Sequence, residues 1–486
     1  MGEARRLSRR TLLAATATTA AGAVLGGCAR EGGVVVTNDP INAAETARPH
    51  TGRTVSATLT ADRIRVDLGG TAAGSLAYNG SVPGPLLRAS VGDDVVVTVR
   101  NLLPRSTSVH WHGIALRNDM DGAAPASPDI AAGAEFTYRF SVPHAGTYWA
   151  HPHTGLDADT GLYFPVIVDD PQEPGNYDAE WIVMLDDWTD GVGSTPEQIY
   201  EGLRNASAPG HDMGGSDGMP GMPGMGTVPG AGGTGSSRLL GGDAGDVSYP
   251  YYLVNGRIAS APSVFRAKPG QRVRVRLINA GSDTAFRVAL SGHRMTVTHT
   301  DGFPVTPTDV DALLLGMGER YDVLVTVGDG VFPLVAIAEG KNASTRALLF
   351  TGLGAPPSVD YLPPELQGRV GAVNTFSATP GVALPAEPAD VQLPVNLAGS
   401  MAPYEWTING LPFSRARPLQ VRTGQRVELS LHNTSMMWHP IHLHGHTFEV
   451  LTPDGRAGPR KDTVIVLPGQ RLRASFIADN PGQWMM

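Results

Sequence analysis

The chain has 486 residues, a formal net charge of −9 and only 17% charged residues. That length exceeds a single typical core, so two or three domains are expected. The acidic balance excludes a nucleic-acid surface, which would need clustered Lys and Arg. With 60 Gly and 39 Pro, the composition suits many short strands joined by tight turns, and the expected fold class is all-β.

The one dense basic cluster is N-terminal, where Arg5, Arg6, Arg9 and Arg10 precede a mildly apolar stretch from Thr11 to Leu25. That stretch is too short to span a bilayer and is shaped like an export signal. The run Ser8-Arg9-Arg10-Thr11-Leu12-Leu13 resembles a twin-arginine signal, and Leu25-Gly26-Gly27-Cys28 resembles a lipoprotein processing box. Residues 1–28 are therefore expected to direct export, with lipidation at Cys28 as the only membrane attachment. Cys28 is the sole cysteine, so the exported body carries no disulfide and no thiolate ligand.

Further along, one phrase recurs three times: an Asn-Gly turn, a second Gly turn, an alternating apolar run, then Asn. The copies run Asn79-Gly80 through Gly92 to Asn101, Asn255-Gly256 through Gly270 to Asn279, and Asn409-Gly410 through Gly424 to Asn433. In the middle copy Val273, Val275 and Leu277 alternate with Arg272, Arg274 and Arg276, which predicts a strand with one buried face and one solvent face. Pro- and acid-rich residues 171–178 and Pro/Ala/Gly-rich residues 354–390 read as linkers. The expected domains are 45–170, 179–353 and 390–486, with a low-complexity Gly/Met-rich insertion at 209–235.

Eight of the 14 histidines fall in three tight clusters: His110-Trp111-His112-Gly113, His151-Pro152-His153, and the run from His439 through His442 and His444 to His446. Each contains His-x-His. On a strand, residues two apart share a face about 7 Å apart, so each pair is expected to project two imidazoles side by side toward neighbouring metals. Imidazole suits Cu, Zn, Fe and Ni alike. No His-Glu-x-x-His signature accompanies the pairs, which disfavours zinc hydrolysis.

His110-Trp111-His112-Gly113 and His439-Pro440-x-His442-x-His444-Gly445 resemble the first and third copper motifs of the three-domain multicopper oxidases, of the laccase and cuprous-oxidase kind. The resemblance implies three cupredoxin-like Greek-key β-sandwiches. It implies that His110 and His442 hold the single copper of a trinuclear cluster, that His112, His151, His153 and His444 hold its paired coppers, and that His439 binds the blue copper. His446 has no ligand role in the resemblance, and His293 and His299 are expected to be structural or surface. Asp121, in Met120-Asp121-Gly122, stands where some members place a carboxylate that delivers protons to oxygen; an ordinary turn aspartate is the alternative.

The implied activity is one-electron oxidation of a phenol, an aromatic amine or cuprous ion, coupled to reduction of dioxygen to water. Thioethers suit Cu(I), so Met213, Met219, Met222 and Met225 of the insertion are candidate soft copper sites. Ala145-Gly146-Thr147-Tyr148-Trp149-Ala150 precedes His151, and Pro481-Gly482-Gln483-Trp484-Met485-Met486 matches it with no histidine following. The family's His-Cys-His segment is expected at that point. The third domain is thus expected to lack its last strand, and the blue copper its Cys, second His and axial ligand, so that the sequence as it stands reads as an incomplete and inactive oxidase. Copper binding or buffering without turnover, or a cupredoxin-like scaffold, are the alternatives. A two-domain copper nitrite reductase is disfavoured by the third repeat.

Overall fold

In a computed structural model of the protein, each Asn-Gly turn adopts the same left-handed pair of conformations. The φ values are 52° and 75° at Asn79-Gly80, 52° and 73° at Asn255-Gly256, and 53° and 75° at Asn409-Gly410. Such a pair matches the right-handed twist of flanking strands, and only Asn and Gly adopt it readily. The residues described are 38–173, 175–206, 235–401 and 403–486. Cys28 with the export segment, and Met213, Met219, Met222 and Met225, lie outside them.

The closing asparagine of each repeat is equally consistent in role. Asn101, Asn279 and Asn433 are fully buried at a strand end. Each side-chain amide donates to backbone carbonyls: Asn101 to Arg105, Ile130 and Ala131, Asn279 to Thr284 and Leu315, Asn433 to Met437 and Val466. A buried amide held this way staples the strand to the loop that follows. In the first and third repeats that loop leads to a histidine strand.

The fold is all-β, with sheets stacked in pairs. In the first repeat, strands Ala72–Tyr78, Thr54–Asp67, Asp94–Asn101 and Glu135–Ser141 form one sheet, and Leu87–Ser90, Phe164–Asp169, Gly146–His151 and His110–His112 the other. Val95, Val97 and Val99 alternate inward from Asp94–Asn101 to meet Trp111, Tyr138, Phe140 and Phe164. The middle repeat pairs a seven-stranded with a six-stranded sheet. In the third, a six-stranded sheet containing Arg426–Asn433 and Arg471–Ile477 faces a two-stranded ladder of His439–His442 with Thr463–Val466. Residues 478–486 form no strand.

One expectation fails. The strand Arg272–Asn279 is buried on both faces, not one, with Arg274 and Arg276 almost wholly shielded from solvent. The face that should meet water meets the first repeat. Asp322 Oδ2 accepts from Arg274 at 2.6 Å and Arg276 at 3.0 Å, and Arg276 also donates to Thr147 Oγ1 at 2.8 Å. Glu173 pairs with Arg274 and Glu180 with Arg276 at 2.7 Å each. Pairing with carboxylates of the same sheet and the preceding linker permits burial that an isolated guanidinium could not sustain.

Candidate metal centre

The ladder of His110–His112 with Gly146–His151 sets His110 opposite His151 and His112 opposite Trp149. This brings the first two clusters together, and the strand His439–His442 brings the third against them. Ring centroids lie 3.9 Å apart for His110 and His444, 3.8 Å for His112 and His442, and 4.9 Å for His153 and His444. Of the three His-x-His pairs, only His110 and His112 share a strand. His153 and His444 each lie just past a strand end, which departs from the expected side-by-side projection in all three pairs. Gly445, at φ 65°, turns the chain directly after His444 and lets the Trp484 ring lie against its backbone.

Five of the six clustered imidazoles are tethered through one nitrogen. His110 Nδ1 donates to Asp121 O at 3.0 Å, His151 Nδ1 to Pro152 O at 2.9 Å and His442 Nδ1 to Asp462 O at 2.9 Å. His444 Nδ1 donates to Asp121 Oδ2 at 2.8 Å, and His112 Nε2 to Thr463 Oγ1 at 3.0 Å. These partners assign the tautomers. Each remaining nitrogen therefore carries a lone pair, and the lone pairs face one another. His110 Nε2 and His442 Nε2 are 3.4 Å apart; His112 Nδ1 and His151 Nε2 are 3.3 Å apart.

Two such lone pairs cannot hydrogen-bond to each other, whereas a cation with metal–nitrogen bonds of about 2 Å satisfies both. Possible metal-binding sets are His110, His112 and His151; His110, His442 and His444; and His112, His442 and Asp462. Burial, reinforced by neighbouring imidazoles, holds His112, His151 and His444 well below the usual histidine range. Neutral imidazole is the ligating form. The donor set thus fits more than one metal ion held by imidazoles.

Asp121 is fully buried. Burial alone would raise its carboxyl, but His444 and His110 outweigh that and hold it well below the usual carboxylate range. His439 lies away from the cluster, with Nε2 2.7 Å from Ser435 Oγ and its ring 5.0 Å from Trp406. The described residues contain no cysteine, so His439 alone does not compose a blue copper site. His446 is buried, with Nδ1 directed to His444 O at 3.2 Å. His293 is likewise held by backbone, to Ser291 O and from Gly328 N, and His299 sits beside Arg274.

Sequence reasoning missed Asp462, Thr463 and Arg320. Asp462 is fully buried and lies 3.4 Å from both His112 Nε2 and His442 Nδ1. A signal was available: Lys461-Asp462 is a charged pair abutting the apolar strand Thr463–Val466, a placement that water-facing charges do not need.

Sequence models of the family described as multicopper oxidase match residues 60–173, 179–352 and 386–486. The chain is 58% identical to the multicopper oxidase MmcO of Mycobacterium tuberculosis over 485 residues, covering 99% of this chain and 94% of that protein. It is 29% identical to a copper resistance protein A homolog of Pseudomonas syringae pv. tomato, covering 88% of each. The crystal structure of a laccase from Botrytis aclada superposes with a TM-score of 0.70 at 25% identity, covering 91% of this chain and 86% of that one. Taken with the paired cupredoxin-like sheets and the histidine cluster, these matches establish that the chain belongs to the multicopper oxidase family and is an oxidoreductase acting with dioxygen.

Proposed function

We propose that the protein is an exported copper oxidase that takes single electrons from cuprous ion, a phenol or an aromatic amine and delivers them to dioxygen, forming water. The observation that carries this reading is the pair of facing imidazole lone pairs, His110 with His442 and His112 with His151, each backed by a tethered second nitrogen. Copper bound there supplies the redox chemistry. His110, His112, His151, His153, His442 and His444 would hold it, His439 would serve the electron-entry copper, and the repeats would be domains with boundaries at 45–170, 179–353 and 390–486.

The chain's own residues do the rest. Tethering fixes the tautomers before metal arrives, so little reorganisation is needed on binding. Asp121 Oδ2 is engaged by His444, while Oδ1 is buried without a hydrogen-bond partner and 3.4 Å from His110 Nδ1. Held ionised, that oxygen would relay a proton toward reduced oxygen and not store one. Cuprous ion is favoured among the donors by the copper resistance relatives and by the methionines of the 209–235 insertion. Export rests on residues 1–28, with Cys28 as lipid anchor; among the described residues no helix is long and apolar enough to cross a membrane.

A second reading, copper holding without turnover, is favoured by the absence of a cysteine thiolate to join His439 among the described residues. The test is to load the purified chain with copper, count copper per chain, and follow oxygen uptake with cuprous ion, a phenol and an aromatic amine in turn. Oxygen uptake with any donor supports the oxidase; bound copper with no uptake supports the second reading; a chain that takes up no copper refutes both.

A further inference from the structure

The middle repeat supplies none of the clustered histidines, yet it reaches the centre through buried side chains, chief among them Arg320. Arg320 begins the strand Arg320–Thr326 and is fully buried. Its guanidinium forms a two-pronged pair with Asp462, Nη1 to Oδ1 at 2.7 Å and Nη2 to Oδ2 at 2.5 Å. The same group donates from Nε to Thr147 O at 3.0 Å, on the strand that ends at His151. One guanidinium therefore ties together the first, middle and third repeats.

Asp462 passes this constraint to two histidines. Thr463 Oγ1 donates to Asp462 Oδ1 at 2.8 Å, so the hydroxyl presents its lone pair to His112 Nε2–H at 3.0 Å. That direction leaves His112 Nδ1 as the free nitrogen facing His151. Asp462 O meanwhile accepts His442 Nδ1–H. Asp301, also from the middle repeat, secures the local backbone by accepting from Asp462 N at 3.2 Å and Thr463 N at 3.1 Å. Both Asp462 oxygens are engaged by Arg320, which fits a carboxylate that orients ligands better than one that is itself a ligand.

The glycine of His-Trp-His-Gly fits the same arrangement. Gly113 has φ +86°, and a Cβ there would strike the Arg320 guanidinium and come within 2.5 Å of Asp462 Oδ2. The motif's fourth residue is small because the ion pair passes across it.

We propose that Arg320 is a positioning residue for the copper centre: by holding Asp462 it sets the Thr463 hydroxyl, and so fixes which nitrogen of His112 is presented to metal. This rests on the copper-binding reading above. Releasing Asp462 would let the hydroxyl rotate and donate to Nε2, moving the His112 proton to Nδ1, where it blocks ligation.

The test compares Arg320→Gln with Arg276→Gln in the full chain. Arg276 is an equally buried arginine at the contact of the first and middle repeats that touches Glu180, Thr147 and Asp322 but no histidine. Both variants should unfold at lower denaturant. Only Arg320→Gln should weaken copper binding in chelator competition, by about 10–100-fold, and alter the electron paramagnetic resonance spectrum of the bound copper. Arg320→Lys, which keeps the charge and loses the fork, should recover part of the affinity. Thr463→Val removes the hydroxyl while leaving the clamp, and should reproduce the copper defect with a near-normal unfolding midpoint, so the test survives even if Arg320→Gln does not fold. Unchanged affinity and spectrum in Thr463→Val would overturn the positioning role while copper binding stands. An unsubstituted chain that takes up no copper would overturn the parent reading and this one together.

Discussion

Replacing Asp121 with asparagine separates two things a carboxylate can do at this centre. Its Oδ2 accepts a 2.8 Å hydrogen bond from His444 Nδ1, and its backbone oxygen separately holds His110. Asp121→Asn keeps the shape and the backbone contact and removes only the charge. A hydrogen bond to a charged group is worth about 1.5–3 kcal/mol, which at about 1.4 kcal/mol per tenfold corresponds to roughly 10–150-fold in copper affinity. Asp121→Ala should lose at least as much, because it leaves His444 Nδ1–H buried without an acceptor. Competition against a calibrated chelator, with metal content read by mass spectrometry, measures the effect directly. If Asp121→Asn binds copper as tightly as the unsubstituted chain, the carboxylate does not orient His444 energetically, and the tethering argument fails at its shortest bond.

Three other perturbations follow from the same contacts. Asp322→Asn breaks the buried pairing with Arg274 and Arg276 and should cost about 3–5 kcal/mol near neutral pH in urea unfolding followed by tryptophan fluorescence. Burial alone would raise the Asp322 carboxyl, but the two arginines hold it well below the usual range. Its stabilisation is therefore present above the unfolded value of about 3.9 and lost as pH falls below it, so the gap between variant and unsubstituted chain should narrow there and not at higher pH. Trp438→Ala empties a fully buried site among Leu240, Leu314 and Ile465 and should cost about 3–5 kcal/mol in the same assay; a loss under about 1 kcal/mol would refute that packing. Finally, copper at a hundred times its dissociation constant should stabilise the chain by about 2.7 kcal/mol, reversed by chelation, and an unfolding transition insensitive to copper would contradict a preformed imidazole site.

Much of this protein was legible from residues alone because the relevant signals are local. An Asn-Gly pair encodes its turn through its own backbone preferences, alternation within eight residues encodes a strand, and a His-x-His pair announces metal chemistry by residue type. The three-fold repeat and the all-β fold follow from such signals, as does the clustering of histidines, while the role of each histidine rests on the family resemblance. Tertiary structure decided whatever depends on what a side chain meets across a contact. Arg274 and Arg276 alternate like solvent-facing residues and are buried, because the surface opposite them belongs to a strand more than a hundred positions away. Beyond the charged pair that sets Asp462 against an apolar strand, Asp462, Thr463 and Arg320 carry no motif, since their role lies in hydrogen bonds between repeats. The orientation of each imidazole was likewise beyond the sequence: residue type supplies two ring nitrogens, and only the packed neighbours determine which one is tethered and which is left for a metal.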